Sequence, residues 1–242
     1  MVADAQTSSP FPPAEVIAGR PTFSRWRRLR SPDVQGEEES GVGSSHAEVM
    51  SAEASDSALR SFVAGLDLER SKTVYISTPI TTGLAFYQTL AALAGSGKPT
   101  LAMLDQAREV AIRENRTGAI EVWQRAKSAH IGHNYVIPSF FDAEGWSQRR
   151  YIDFWVDFII QRVGTLVLAP GWQYSSGSSR EFYEAIAADV AVLTSEFEPL
   201  SAAQGVELLR VSVAGVAELG VDPISLRETL QRLEAFSRRS EA

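Results

Sequence analysis

Cysteine is absent from this chain of 242 residues, and histidine and methionine are scarce, three of each. That excludes a disulfide framework, a zinc–thiolate centre and a cysteine nucleophile, and it suits a reducing cytoplasm, the compartment expected here. No apolar run approaches the roughly 18 residues that a membrane helix needs, and the first residues lack the charged-then-apolar order of a secretory signal. No membrane partner is expected. Basic charge is also short: 23 Lys and Arg against 30 Asp and Glu give a net charge of −7, with a pI of about 5.1. A surface of that sign opposes a stable hold on nucleic acid, which shows as a basic face. A small molecule is the expected partner.

Three apparent motifs are also empty. Gly95-Ser-Gly97-Lys98 has Pro99 where a phosphate loop requires Ser or Thr, and Ala92 where it requires the earlier glycine, so it reads as a helix stop. His130 and His133 have no carboxylate or thiol at ligand spacing nearby, so neither metal nor cofactor is expected. Ser175 to Ser179 lacks the strand-elbow form of a catalytic serine.

What is present is material for one sizeable core, with 44% hydrophobic and 22% charged residues. Residues 1–70 are rich in Ser, Pro, Gly, Ala and Glu, which predicts a largely disordered tail. Its charge is segregated, from Arg20 and the Arg25-Trp26-Arg27-Arg28-Leu29-Arg30 cluster to an acidic stretch holding Glu37, Glu38, Glu39, Glu48, Glu53 and Asp56. Residues 58–66 carry a short helical pattern, and the domain proper, 71–242, begins at Ser71. There, β-prone runs at 74–76, 135–137, 165–168 and 190–193 alternate with helical periodicity at 84–94, 101–115, 119–129, 147–161 and 181–188. Two closing helices follow at 202–219 and 224–236. This alternation predicts an α/β fold, a flavodoxin- or Rossmann-like three-layer sandwich on a parallel sheet of about four to five strands with extra C-terminal helices.

The richest segment is Leu166-Val-Leu-Ala-Pro-Gly-Trp172-Gln-Tyr-Ser175-Ser-Gly177-Ser178-Ser-Arg-Glu181, read as strand, turn and helix start. It places Glu181 on a first helical turn at the carboxyl edge of the sheet, where open α/β folds keep their sites. Helix N-terminal amides favour its ionised form and a closed pocket opposes it; an ionised nucleophile is expected. The plain alternative is a first-turn acid that complements the helix dipole. Asp153 and Asp157 are four apart in the apolar helix beginning at Tyr151 and share one face, which reads either as the solvated side or as part of a site.

Two of these stretches resemble the nucleoside 2-deoxyribosyltransferase superfamily, in particular its less characterised bacterial branch. Val74-Tyr-Ile-Ser77-Thr-Pro79-Ile-Thr-Thr-Gly83 is similar to the family's opening strand and substrate loop, and Pro170 through Ser175, Gly177 and Glu181 to Ala185 to its strand, turn and nucleophile helix. Val136-Ile-Pro138 is similar to the strand between them. The resemblance spans about residues 73–195, with Thr78 where the family usually has Gly and an insertion at 95–134. It implies that Glu181 attacks an anomeric carbon, that Asp157 binds sugar hydroxyls or assists proton transfer with Asp153 as the competing choice, and that Tyr75, Ser77 and Pro79 form the floor. Ser175, Gly177 and Ser178 offer hydroxyls and helix N-terminal amides to a sugar or its 5′-phosphate, and Trp172 and Phe140 offer aromatic faces on which a base stacks unless they belong to the core. The implied activity is cleavage of an N-glycosidic bond in a nucleoside or nucleotide, by hydrolysis or transfer; the alternative is a non-catalytic nucleotide sensor. Members of the family often pair, so a homodimer is an expected assembly.

Overall fold

Five parallel strands, Glu15–Ile17 (β1), Thr73–Ser77 (β2), Asn134–Val136 (β3), Thr165–Leu168 (β4) and Ala191–Leu193 (β5), form one sheet in the order β1-β3-β2-β4-β5. The computed structural model describes residues 15–17, 61, 68–95, 97–141 and 146–240. Among the described residues the strands are accompanied by the α-helices Leu84–Ala94 (α1), Leu101–Ser128 (α2), Gln148–Arg162 (α3), Ser176–Ala187 (α4), Ala202–Glu218 (α5) and Ile224–Ser240 (α6). The chain passes from β2 outward to β3, then back across β2 to β4. The strand order therefore reverses between β2 and β4, which opens a crevice at their carboxyl ends.

Period-two alternation divides the core. Tyr75, Leu166, Leu168 and Val192 face one layer, where they meet α3, α4 and the C-terminal helices. Val74, Ile76, Tyr135 and Val167 face the other, against Ala119, Val122 and Ala126 of α2. Both faces are covered, as the apolar runs of parallel strands require. The α/β three-layer sandwich predicted from alternation is the fold observed.

Three departures are informative. The helices expected at 101–115 and 119–129 are a single helix of 28 residues. Thr117 turns its hydroxyl back to the carbonyl of Arg113 within the helix, and the roughly 1 kcal/mol penalty of a mid-helix glycine at 118 is outweighed by burial of Ala107, Ala111, Ala119 and Val122. Glu15–Ile17, within the expected tail, is an edge strand in register with Asn134–Val136; its two β-branched residues are diluted in any average over the surrounding polar chain. The basic cluster at 25–30, the acidic stretch and nearly all of the helix expected at 58–66 lie outside the described residues. Among the described residues no helix is long and apolar enough to cross a membrane.

The C-terminal helices press hard on α4. A Cβ placed on Gly205 of α5 would stand 2.2 Å from the ring of Phe182, so only glycine permits this approach. Phe182 is wholly buried between Trp172 and that helix.

Candidate active site

Ser175 is the N-cap of α4: its hydroxyl accepts from the amide of Ser178 at 3.4 Å. The serine run expected to be a turn is therefore the first turn of the helix, and Glu181 sits on the second turn. There it is 7% exposed. Opposite it, β2 projects Tyr75 and Ser77 from the same face, as their spacing of two requires. The Tyr75 hydroxyl donates to Glu181 Oε1 at 2.6 Å, and the Ser77 hydroxyl donates to Glu181 Oε2 at 2.6 Å. Both carboxyl oxygens are thus held by donors on a strand 104 to 106 residues away in sequence.

These donors are fixed from behind. Tyr75 meets Trp155 edge-on with ring centroids 5.9 Å apart, and Trp155 is locked in turn among Phe141, Tyr151, Phe154 and Phe158. A phenol held this way has little rotational freedom, so its hydroxyl stays aimed at Glu181. Burial raises the Glu181 carboxyl from its ordinary 4.5 to about 7; the hydrogen bonds from Ser77 and Tyr75 pull it down but only partly offset that effect. Burial, reinforced by the neighbouring carboxylate, keeps the Tyr75 phenol well above its usual range and therefore neutral. Of the two opposed effects expected at Glu181, desolvation is the larger, so near neutral pH the carboxyl is divided between its two forms. A second-turn side chain gains less from helix dipoles than a first-turn one, and here desolvation prevails.

Glu181 faces a cavity of about 50 Å³. Its walls are Thr78, Ile80, Thr81 and Thr82 from the loop after β2; Pro138; Gln148, Tyr151 and Ile152 from the start of α3; and Ser175, Gly177 and Ser178 from the start of α4. Tyr151 is pinned by donating its hydroxyl to the carbonyl of Pro138 at 2.6 Å. The lining is largely hydroxyl and methyl, and among the described residues no lysine, arginine or histidine contributes to it. Two buried polar atoms at this edge have no partner, Gln148 Oε1 and Ser139 Oγ.

Of the residues expected at the site, the structure brings together Glu181, Tyr75, Ser77, Ser175, Gly177 and Ser178. Other expected residues stand elsewhere. Asp157 is exposed and outside the cavity lining, because α3 turns Gln148, Tyr151 and Ile152 toward the cavity and the face at 153 and 157 away from it. Asp153 is engaged by Arg180 at 2.7 Å and Arg149 at 3.8 Å. Trp172 is a core residue against Phe182, with centroids 4.7 Å apart. Phe140 lies under the Arg116 guanidinium at 4.7 Å. Pro79 is buried behind the wall, close against Gly83. Sequence reasoning did not single out Thr78, Ile80, Thr81, Thr82, Pro138, Gln148, Tyr151 or Ile152 as site residues; the Thr-rich turn after β2 was the available signal for the first four. Among the described residues no group of three His, Asp or Glu side chains could hold a metal ion.

Comparison with protein-family models, with curated proteins and with solved structures finds no match for this chain.

Proposed function

We propose that this protein cleaves the N-glycosidic bond of a nucleoside-like pentoside with Glu181 as the nucleophile. The observation that carries the proposal is the clamped acid itself: a buried carboxyl at the reversal of strand order, both oxygens held by hydroxyls, facing a cavity. In its ionised form Glu181 attacks the anomeric carbon; the C–N bond breaks, its electron pair leaves on the base nitrogen, which takes up a proton, and a glycosyl ester forms on the carboxyl oxygen. Water then releases the sugar, or a second base accepts it. Tyr75 and Ser77 donate to the carboxylate throughout, so its attack needs no reorganisation of surrounding water. The absence of a cation from the lining among the described residues favours an uncharged sugar over a 5′-phosphate. The resemblance of residues 74–83 and 170–185 to the deoxyribosyltransferases supports the same chemistry.

The alternative reading is a nucleotide sensor without turnover. Incubation with a panel of nucleosides and their 5′-monophosphates, followed by chromatography for free base, separates the two readings. Release of base by the wild-type chain, lost in Glu181→Gln, is the expected result. Ligand-induced thermal stabilisation without any released base, unchanged in Glu181→Gln, would establish the sensor instead.

A further inference from the structure

The cavity is too small for a pentoside, since small-molecule sites measure about 300–1,000 Å³, so one wall must yield before a sugar reaches Glu181. Strand β2 and helices α3 and α4 are held by continuous backbone hydrogen bonding. The loop after β2, which supplies Thr78, Ile80, Thr81 and Thr82 to the wall, is tied differently. Its anchor is Asn115 of α2: the side-chain amide donates to the carbonyl of Thr82 at 2.7 Å and to that of Ile80 at 3.3 Å. The Thr78 hydroxyl donates back to the main-chain carbonyl of Asn115 at 3.2 Å. The loop closes at Gly83, where φ is +100 and a Cβ would stand 2.7 Å from Pro79 Cβ and 3.5 Å from Asn115 Oδ1.

We infer that Asn115 is a positioning residue that fixes the 78–83 wall over Glu181 and releases it when a sugar is admitted. The inference rests on the reading of this cavity as a pentoside site. One carboxamide holds two loop carbonyls at once, so the wall follows the side chain and the side chain follows α2. Helix α2 lies within the segment 95–134 that reads as an insertion, and through Asn115 that segment holds the loop that walls the cavity. Asn115 touches neither Glu181 nor the cavity, so its effect on chemistry runs through the loop.

Hydrogen exchange and steady-state base release on the full chain test this together. Asn115→Asp keeps the shape and loses both N–H donors, and Asn115→Ala loses the shape as well. In both, exchange across 78–83 is expected to accelerate by about tenfold or more while exchange across β4 stays unchanged. The kcat for base release falls by about 10–100-fold, more than KM rises. Thr78→Val, which removes the bond to the Asn115 carbonyl at 3.2 Å and the longer one to the Pro79 carbonyl at 3.4 Å but leaves both carboxamide bonds in place, moves both readouts the same way by less. Wild-type loop exchange in Asn115→Asp overturns the inference, and so does faster loop exchange with an unchanged kcat. Should both Asn115 variants exchange rapidly across β4 as well, Thr78→Val decides on the same two readouts. If the wild-type chain releases base from no nucleoside, the proposed function fails, and the exchange data alone decide whether Asn115 holds the loop.

Discussion

Helices α3 and α4 lie side by side, each carries carboxylates, and the fold treats those carboxylates in opposite ways. On α3, Asp153 is matched by Arg180 and Arg149 at the surface, and Asp157 stands in solvent. On α4, Glu181 is taken out of water and given two hydroxyls instead of a cation. One turn later on the same helix, Glu184 is again paired with arginine, Arg232, at 2.9 Å. Residue type is nearly constant across these positions. What differs is the element facing each: arginine-bearing helices on one side, the polar carboxyl end of β2 on the other. The arginine-paired acids are engaged in ion pairs at the surface, whereas Glu181, held by neutral donors in a closed space, keeps a proton that it gives up near pH 7.

That contrast breaks most visibly in turnover. Glu181→Gln is expected to lower base release by at least ~10³-fold, and Asp157→Asn to leave it within about threefold, both read as kcat/KM by chromatography of free base. An equal loss in Asp157→Asn would place the solvated acid in the mechanism and undo the comparison. Because Glu181 attacks only when ionised, wild-type kcat/KM is expected to rise with pH through about 7 and then level off.

Stability runs the other way. The folded state holds the Glu181 proton up to about pH 7 and the unfolded chain only to the ordinary value of 4.5. The stabilisation from this group is therefore complete below 4.5 and is lost as pH rises through that window, on the order of 3 kcal/mol by pH 8. Urea midpoints at pH 5 and pH 8 should show the loss in wild type and a much smaller one in Glu181→Gln. A midpoint that falls equally in both would assign the pH dependence to other groups. The smallest effect is expected at Asp153→Asn, under about 1 kcal/mol with base release unchanged, since its pairing with Arg180 is partly solvated. A larger cost would mean that this ion pair helps to dock α3 on α4.

The sequence is most readable where pattern and geometry coincide. Strand alternation and the glycine- and serine-marked turn after β4 locate the sheet, the crevice and Glu181 without coordinates, because the spacing of two that pairs Tyr75 with Ser77 is a property of any strand. The start of α4 is harder to place because serines favour turns and caps alike; only the geometry of Ser175 shows that it caps. Asp157 misleads because a helix with large apolar neighbours on both sides still has a solvated stripe, and periodicity does not say which way the stripe points. Asn115 carries no signal at all: a lone asparagine in mid-helix is common, and its two loop carbonyls lie 33 and 35 residues back in the chain.

The narrow crossing at Gly205 and Phe182 gives the C-terminal third of the chain a mechanical part in this arrangement. Phe182 is the residue next to Glu181, so α5 acts as an anvil behind the acid, and even a methyl group added at 205 would drive the ring, and with it the turn of α4 that bears Glu181, toward β2. Damage far along the chain would then reach the reactive centre as a carboxyl displaced from its two hydroxyls, while the sheet that carries them stayed whole.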